Sequence, residues 1–490
     1  MPMSAPGGDE PTPGRVGILV VVCAAIFISV LNASIVNVVL PTIGADLDVD
    51  AALLGWVITV YSLVYAVAIP FYGRLADLYG ARGFFLFGQG VFALGSLLCA
   101  LAPSFPLLLV ARVIQASGGA AVPGLGIALA ARAFPPHQRG TVLGIVTTAL
   151  GVAAAIGPTS GGLLADRFGW HAVFVVGALA GLLVPASWLL LPPEKPRGGE
   201  RLDVWGGLFL AVGISGGLYA LTEGSRVGWG SPRPLGSAAV ALVGLAALVI
   251  RQRWAATPFI PRELLANRRY VALVTTSFGA MTAMMGAFVG LPLLLAGVNE
   301  LSPAQVGLVL LPNAALTASL GVVVGRLVDR VGARWPVRVG LVVMMAAALG
   351  LSSAAGSSAW TVAVILMLLG LGSSLVNTPL SAAVSLVVRP ERLASGQSMN
   401  TMLFFLGGSF GATLTTAVVG ARAGAADALN PLHGGAGVGF SDAFLLALVP
   451  LLLALSLSGA VPSRPPSGAR EESIRRERPG TVASRAGTRS

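Results

Sequence analysis

Apolar positions along this chain follow neither the alternation of a half-buried strand nor the one-sided stripe of a surface helix. They form long stretches that are apolar on every side, separated by short polar clusters. Fourteen such stretches stand out, at residues 16–40, 53–72, 84–101, 107–130, 141–164, 171–191, 205–222, 235–250, 271–296, 306–324, 339–355, 360–388, 396–420 and 441–461. At 1.5 Å per residue, about 20 residues of helix cross a hydrocarbon layer about 30 Å thick. In lipid a lone segment satisfies its backbone only as a helix, so the pattern predicts an all-α polytopic membrane protein with fourteen spans. The first run is too long for a signal-peptide core and is read as a retained span.

Composition supports this reading, because 55% of the 490 residues are hydrophobic and only 10% charged, with a mean hydropathy of +0.84. A soluble domain carries about 25% charged residues. The net charge of +11 would suit a nucleic-acid binder, but the placement of the charges excludes that partner. With the N-terminus inside, 26 of the 31 basic residues fall in inside segments and four in outside loops, while Arg112 lies within a span. This is the positive-inside bias, and it predicts that both termini are cytoplasmic. Richness in Ala, Gly, Val and Arg suits a GC-rich bacterial genome, and hence a bacterial cell membrane. Cys23 and Cys99 fall in spans with no metal or CxxC spacing, so neither a disulfide nor a metal site is expected.

The polar clusters hold a repeat. GRLADLYGAR (73–82) returns as GRLVDRVGAR (325–334), with seven of ten letters unchanged and an offset of 252 residues. Both copies fall at inside junctions, after spans 2 and 10. A shift of eight spans parses the chain as 6 + 2 + 6: a six-helix bundle at 16–191, two inserted helices at 205–250, and a second bundle at 271–461. A tail at 1–15 and a basic, disordered tail at 462–490 flank them. Repeats of this size mark transporters whose substrate site lies between the repeats. Within the decamer, glycine suits a tight turn, and Asp77 and Asp329 are carboxylates able to accept from backbone N–H groups at a helix start. Arg74, Arg82, Arg326 and Arg334 are expected to hold the loops at the inner face.

A charge at mid-helix costs about 2.5–3.5 kcal/mol on insertion scales, so Arg112 needs a partner or a wet cavity. Gln115 lies three residues on, on the same helical face. In Gly157-Pro158-x-x-Gly161-Gly162 the proline interrupts the helical bonding, and glycines four apart let a neighbouring helix approach. None of the twenty acids lies mid-membrane. Asn313, Asn377 and Asn400, with Met281, Met285 and Phe404, are candidates to line a substrate cavity, although such clusters more often pack against neighbours.

These stretches carry a family resemblance. GRLADLYGAR resembles motif A of the major facilitator superfamily, with Leu78 where the pattern has a basic residue; LLLVARVIQASGGAA (107–121) resembles motif B; and GVAAAIGPTSGG (151–162) resembles motif C, associated with exporters. LNASIVNVVLP (31–41) is similar to the first-helix signature of the fourteen-helix drug:proton antiporters, and ARVIQASGGAAVPGL to tetracycline exporters. The resemblance implies a major facilitator fold and alternating access. It also implies Arg112 facing a central cavity and bonding toward helix 1. The branch pattern has an aspartate where this chain has Asn32, which cannot titrate.

The expected function is a secondary active exporter of small amphiphilic molecules, drugs or antibiotics, with protons as coupling ion. Partners would be the small-molecule substrate and membrane lipid; no cofactor is implied and a monomer is expected. An exporter of an endogenous metabolite with atypical or no proton coupling, and a transporter-fold sensor, are the alternatives. A membrane enzyme lacks its residues: His137, His171 and His433 all lie in loops or at a helix end, and no P-loop or HExxH occurs.

Overall fold

The apolar runs close their backbone bonds as helices, in a computed structural model that describes residues 13–194 and 200–463. In chain order the α-helices are α1 (Pro13–Asp46), α2 (Ala51–Tyr79), α3 (Ala81–Ala100), α4 (Phe105–Gly119), α5 (Ala121–Ala133), α6 (Arg139–Phe168), α7 (His171–Ala178), α8 (Leu183–Leu190) and α9 (Val204–Val227). They continue with α10 (Pro232–Trp254), α11 (Arg262–Ala266), α12 (Arg268–Gly297), α13 (Pro303–Val331), α14 (Arg334–Ser353), α15 (Ala359–Val387), α16 (Leu393–Ala421), α17 (Val438–Leu446) and α18 (Leu448–Leu457). Fourteen helical segments among the described residues are long and apolar enough to cross a membrane. The expected tails fall largely outside the described residues, at 1–12 and 464–490.

Three spans are made of two pieces. The fourth is α4 with α5, the sixth α7 with α8, and the fourteenth α17 with α18. Each break lies just ahead of a proline: Ala120 before Pro123, the turn at Leu179–Leu182 before Pro185, and Ala447 before Pro450. Proline has no N–H for the carbonyl four residues back, which frees the helix to tighten or turn there.

Helix starts follow local chemistry. Asn267 caps α12, accepting from the Arg269 and Tyr270 amides at 3.1 and 3.3 Å. Ser302 and Gln305 form a capping box on α13, and Ser358 caps α15.

The decamers are not loops, as the sequence suggested. Residues 73–79 and 325–331 are the last two turns of α2 and α13, and only Gly80 in the first copy, and Gly332 with Ala333 in the second, remain for the turn. Arg74, Asp77 and Asp329 can stay on the helices because partners inside the bundle satisfy them, while Arg326 and Arg330 are exposed. The turn itself needs glycine: Gly80 has φ +103° and Gly332 φ +81°, a region other residues enter only with strain.

Spans 1–6 (α1–α8) and spans 9–14 (α12–α18) meet through α6 against α13 and α15, and through α2 and α5 against α16. The helix pair α9–α10 packs on itself and against α2 and α16. Phe71 of α2 and Phe259, which follows α10, meet at a tilt of 57° with centroids 4.8 Å apart, and Trp56 meets Tyr219 at 6.1 Å.

Candidate functional site

The ends of α2 and α13 that carry the decamers lie at one face of the bundle. There each aspartate reaches across to the other group of six spans. Asp77, only 3% exposed, accepts from the backbone amides of Ala394 and Ser395 at 3.1 and 3.0 Å, the first turn of α16. Asp329 accepts from the amides of Gly140 and Thr141 at 2.8 and 2.7 Å, the first turn of α6, and from the Thr141 hydroxyl at 2.6 Å. A carboxylate at a helix start satisfies orphan N–H groups and meets the positive end of the helix dipole. The helix starts expected as partners are therefore present, but each belongs to the opposite group.

Close packing supports both crossings. A β-carbon on Gly140 would lie 2.5 Å from the Gly325 carbonyl, and one on Gly73 the same distance from the Ser398 β-carbon. Higher in the interface Thr147 and Thr378 share a hydroxyl hydrogen bond of 2.9 Å, and Tyr65 meets Phe405 edge-on at 5.3 Å. Arg139 donates to the Ser385 carbonyl at 2.8 Å, and Arg132 to that of Pro390 at 3.0 Å.

Three of the five decamer arginines go to protein groups, while Arg326 and Arg330 are exposed, as expected of residues at the inner face. Arg74, expected at the inner surface, is 1% exposed and pairs with Glu200 at 3.0 Å. Arg82 donates to the Trp188 carbonyl at 2.5 Å and lies over the Trp188 ring, tying α3 to α8. Arg334 donates to the Val461 and Gly459 carbonyls.

Sequence reasoning missed Glu194, Glu200, Arg132 and Arg392, which surround Asp77. Arg132 pairs with Asp77 at 3.5 Å and with Glu194 at 3.2 Å; Arg392 pairs with Glu200 at 2.6 Å. Hydrogen bonds from Arg392, and then from Arg74, hold the Glu200 carboxyl below the usual carboxylate range. These residues lie in separate segments, and only their opposite signs at junctions of the same face hinted at pairing.

Arg112 does not stand in an open cavity. It is 2% exposed and lies between α2, α4 and α7, its guanidinium 4.1 Å from the Tyr61 ring centroid and 5.9 Å from that of Phe174. Its Nε donates to the Val57 carbonyl at 3.2 Å and its Nη1 to the Gln115 amide oxygen at 2.5 Å. Gln115 in turn donates to the Asn32 side chain at 2.9 Å and to Ser96 at 2.7 Å, and Asn32 donates to the Val173 carbonyl at 2.9 Å. So Arg112 does bond toward helix 1, but through Gln115. Every partner is neutral, and no carboxylate among the described residues pairs with it. One carbonyl, one side-chain amide and two aromatic faces share the desolvated charge.

Gly157 and Gly161 seat α6 on α1. A β-carbon at either would meet Ser34 at 2.6 Å or Ile35 at 2.5 Å, whereas Gly162 faces open space. Pro158 lies within the unbroken α6, and its side chain is outside the described residues.

The six proposed cavity residues fall on two packed helix pairs, α13 with α15 and α12 with α16. Asn313, 1% exposed, packs against Gly370 of α15, and Asn377 is half-buried on that helix. Asn400 accepts from the Ser277 hydroxyl at 2.9 Å. Met281 and Met285 rest on Gly408 of α16, while half-buried Phe404 stands edge-on to Phe405 at 5.7 Å.

Comparison with known proteins agrees with this architecture. The profile of the Major Facilitator Superfamily matches residues 22–412. The chain is 34% identical, over 398 residues, to the multidrug resistance protein Stp of Mycobacterium tuberculosis (strain CDC 1551 / Oshkosh), covering 81% of this chain and 74% of that one. It is 30% identical to the multidrug resistance protein B homolog of the same species (strain ATCC 25618 / H37Rv) over 428 residues, 84% and 78% of the two chains. The crystal structure of the human organic anion transporter MFSD10 (TETRAN) shares the fold at a TM-score of 0.66 and 17% identity, over 90% of this chain and all of that one. With fourteen apolar helices, two decamers that each cap a helix across the bundle, and a profile match over most of its length, the chain belongs to the Major Facilitator Superfamily, a family of multi-pass membrane transporters rather than enzymes.

Proposed function

We propose that the protein is a secondary active exporter of small amphiphilic molecules, drugs or antibiotics among them, and that it works by alternating access between two six-span units, residues 16–191 and 271–461. The observation that carries this reading is the pair of crossed aspartate latches, 252 residues apart, which join the units at the decamer face. A permanent scaffold has no need for its only repeated polar segment to bridge two bodies. A rocking transporter needs such contacts to form in one state and break in the other. The excess of basic residues at junctions on the decamer side supports a cytoplasmic decamer face, and with it cytoplasmic termini, in a bacterial cell. The state described here is then sealed on the cytoplasmic side. The relatives named for multidrug resistance support the substrate class.

Proton antiport is the drive we propose, but Asn32 cannot be the titrating group. Glu223 near the end of α9, 7% exposed and 3.7 Å from Arg233, is the acid we assign to that role. Arg112 without a carboxylate makes its surroundings positive, so neutral, zwitterionic or anionic substrates are favoured over lipophilic dications. The test is efflux from a drug-hypersensitive host across a panel that includes tetracyclines, followed by substrate-induced proton movement in everted vesicles. Export of several neutral or zwitterionic members supports the reading. A panel with no efflux, from protein shown to be in the membrane, overturns it.

A further inference from the structure

We propose that Glu200 is a gating residue: a clasp, carried by the connection between spans 6 and 7, that joins the two six-span units at the decamer face. Its carboxylate takes one arginine from each unit. One oxygen accepts from Arg74 Nη2 of α2 at 3.0 Å and from Arg392 Nη1 at 3.0 Å, while the other accepts from Arg392 Nη2 at 2.6 Å. The Arg392 fork is therefore bidentate, the geometry that gives carboxylate pairing both strength and direction.

Two features make this more than a surface ion pair. Arg74 is 1% exposed, and its Nε and Nη1 meet no acceptor among the described residues, so Glu200 is the anion that balances a buried cation. Removing one partner of a buried charge costs more than an exposed pair contributes. Arg392 also immediately precedes α16, whose first amides hold Asp77. Glu200 and Asp77 thus fasten the same helix start from two different elements.

Described residues on both sides of Glu200 are anchored as well. Before it, Glu194 accepts from the Ala81 amide at 2.6 Å and from Arg132 at 3.2 Å, which ties it to the first unit. After it, Asp203 caps α9 through the Gly206 amide and pairs with Arg251 of α10 at 3.0 Å. Separation of α16 from α2 at this face must break the Arg74–Glu200–Arg392 chain. Because Asp203 follows three residues later, the inserted pair α9–α10 is coupled to that event. The seal at this face therefore has three fastenings, and the third takes Arg74 from the first decamer but its carboxylate from neither.

Ser398 offers a readout that needs no transported substrate, so it stands apart from the choice of substrate above. It is 1% exposed, wedged against Gly73 and Gly124, and becomes reachable only when α16 leaves α2 and α5. Ser398→Cys protein in phospholipid nanodiscs is labelled with a soluble fluorescent maleimide, after subtraction of labelling in the parent with its native Cys23 and Cys99. Glu200→Gln and Arg392→Gln should each raise the rate about five-fold, and the double variant should label no faster than either single one, since both break one interaction. Glu263→Gln, which removes the neighbouring pair with Arg389, should leave the rate within about two-fold of the reference. Labelling of Glu200→Gln at the reference rate, a double variant at the product of the two single effects, or an equal rise for Glu263→Gln would each overturn the proposal.

Discussion

The two decamers are nearly the same sequence, yet they close the bundle with different chemistry. Around Asp77 the crossing is ionic: Arg132, Glu194, Arg74, Glu200 and Arg392 form a chain of charges about the start of α16. Around Asp329 it is tight and has no arginine pair among the described residues: two amides and a hydroxyl bind the carboxylate, His137 acts on it from further off, and Gly140, Gly144, Gly321 and Gly325 bring the α6 and α13 backbones together. The repeat therefore preserves the carboxylate-to-helix-start bond and not its surroundings. Charged contacts can part into water with part of their desolvation recovered. Interlocked backbones resist small displacements and separate only as a whole. The contrast assigns the Asp77 side as the more adjustable fastening and the Asp329 side as the stiffer one.

The largest expected effect lies outside both latches and tests whether sealing and transport are separable. Arg112→Ala should reach the membrane and lose export by about a hundred-fold or more, because it removes a buried cation held by two hydrogen bonds and two aromatic faces. Arg112→Lys should recover only a part. Maleimide labelling at Ser398→Cys should stay within about two-fold of the reference in the Ala variant, whose site is remote from either decamer. Near-normal export by Arg112→Ala would leave the charge no role in transport.

Next in size is the glycine interface. A β-carbon on Gly325 collides with the Gly140 carbonyl, a backbone atom with nowhere to go. Gly325→Ala should weaken the sealed state by about 1–3 kcal/mol, and Gly144→Ala similarly. Disulfide trapping between cysteines placed at Thr147 and Thr378, 2.9 Å apart through their hydroxyls, would fall accordingly. Undiminished trapping would show that α6 and α13 separate more freely than their packing implies.

The aspartates themselves should rank in the order of their partners. Asp77→Asn loses an acceptor for a helix start and the charge facing Arg132, so Ser398→Cys labelling should rise about ten-fold. Asp329→Asn loses no arginine partner among the described residues, only the weaker attraction of His137, and should give only about a three-fold rise. Equal effects would remove the distinction between the two latches.

The smallest effect concerns pH. Glu200 has its proton affinity lowered by Arg392 and Arg74, so the stabilisation is complete above the ordinary glutamate range and is lost as pH falls through the lowered folded-state value. Acidification from pH 7 to pH 5 should therefore leave the Glu200 contribution intact, and Ser398→Cys labelling, compared between wild type and Glu200→Gln, should keep the same ratio. A ratio that collapses by pH 5 would mean the arginines do not hold this carboxylate.

Much of the fold was legible because lipid imposes one rule on every backbone group, and twenty-residue apolar runs have few other solutions. Fourteen spans, the decamers and the isolated cation at Arg112 all follow from positions along a line. The decamer helices ran further than expected, since Arg74 and Asp77 have no visible reason to stay helical until their partners 126 and 317 residues away are known. The same limit explains Glu200, an ordinary linker glutamate in sequence, and the six cavity candidates, whose helical faces could not be assigned from helices apolar all round. The sequence by itself determined how many times the chain crosses and which polar groups it must shelter. Which partner each charge finds was decided only by tertiary structure, because pairing depends on which helix ends meet at one face of the bundle.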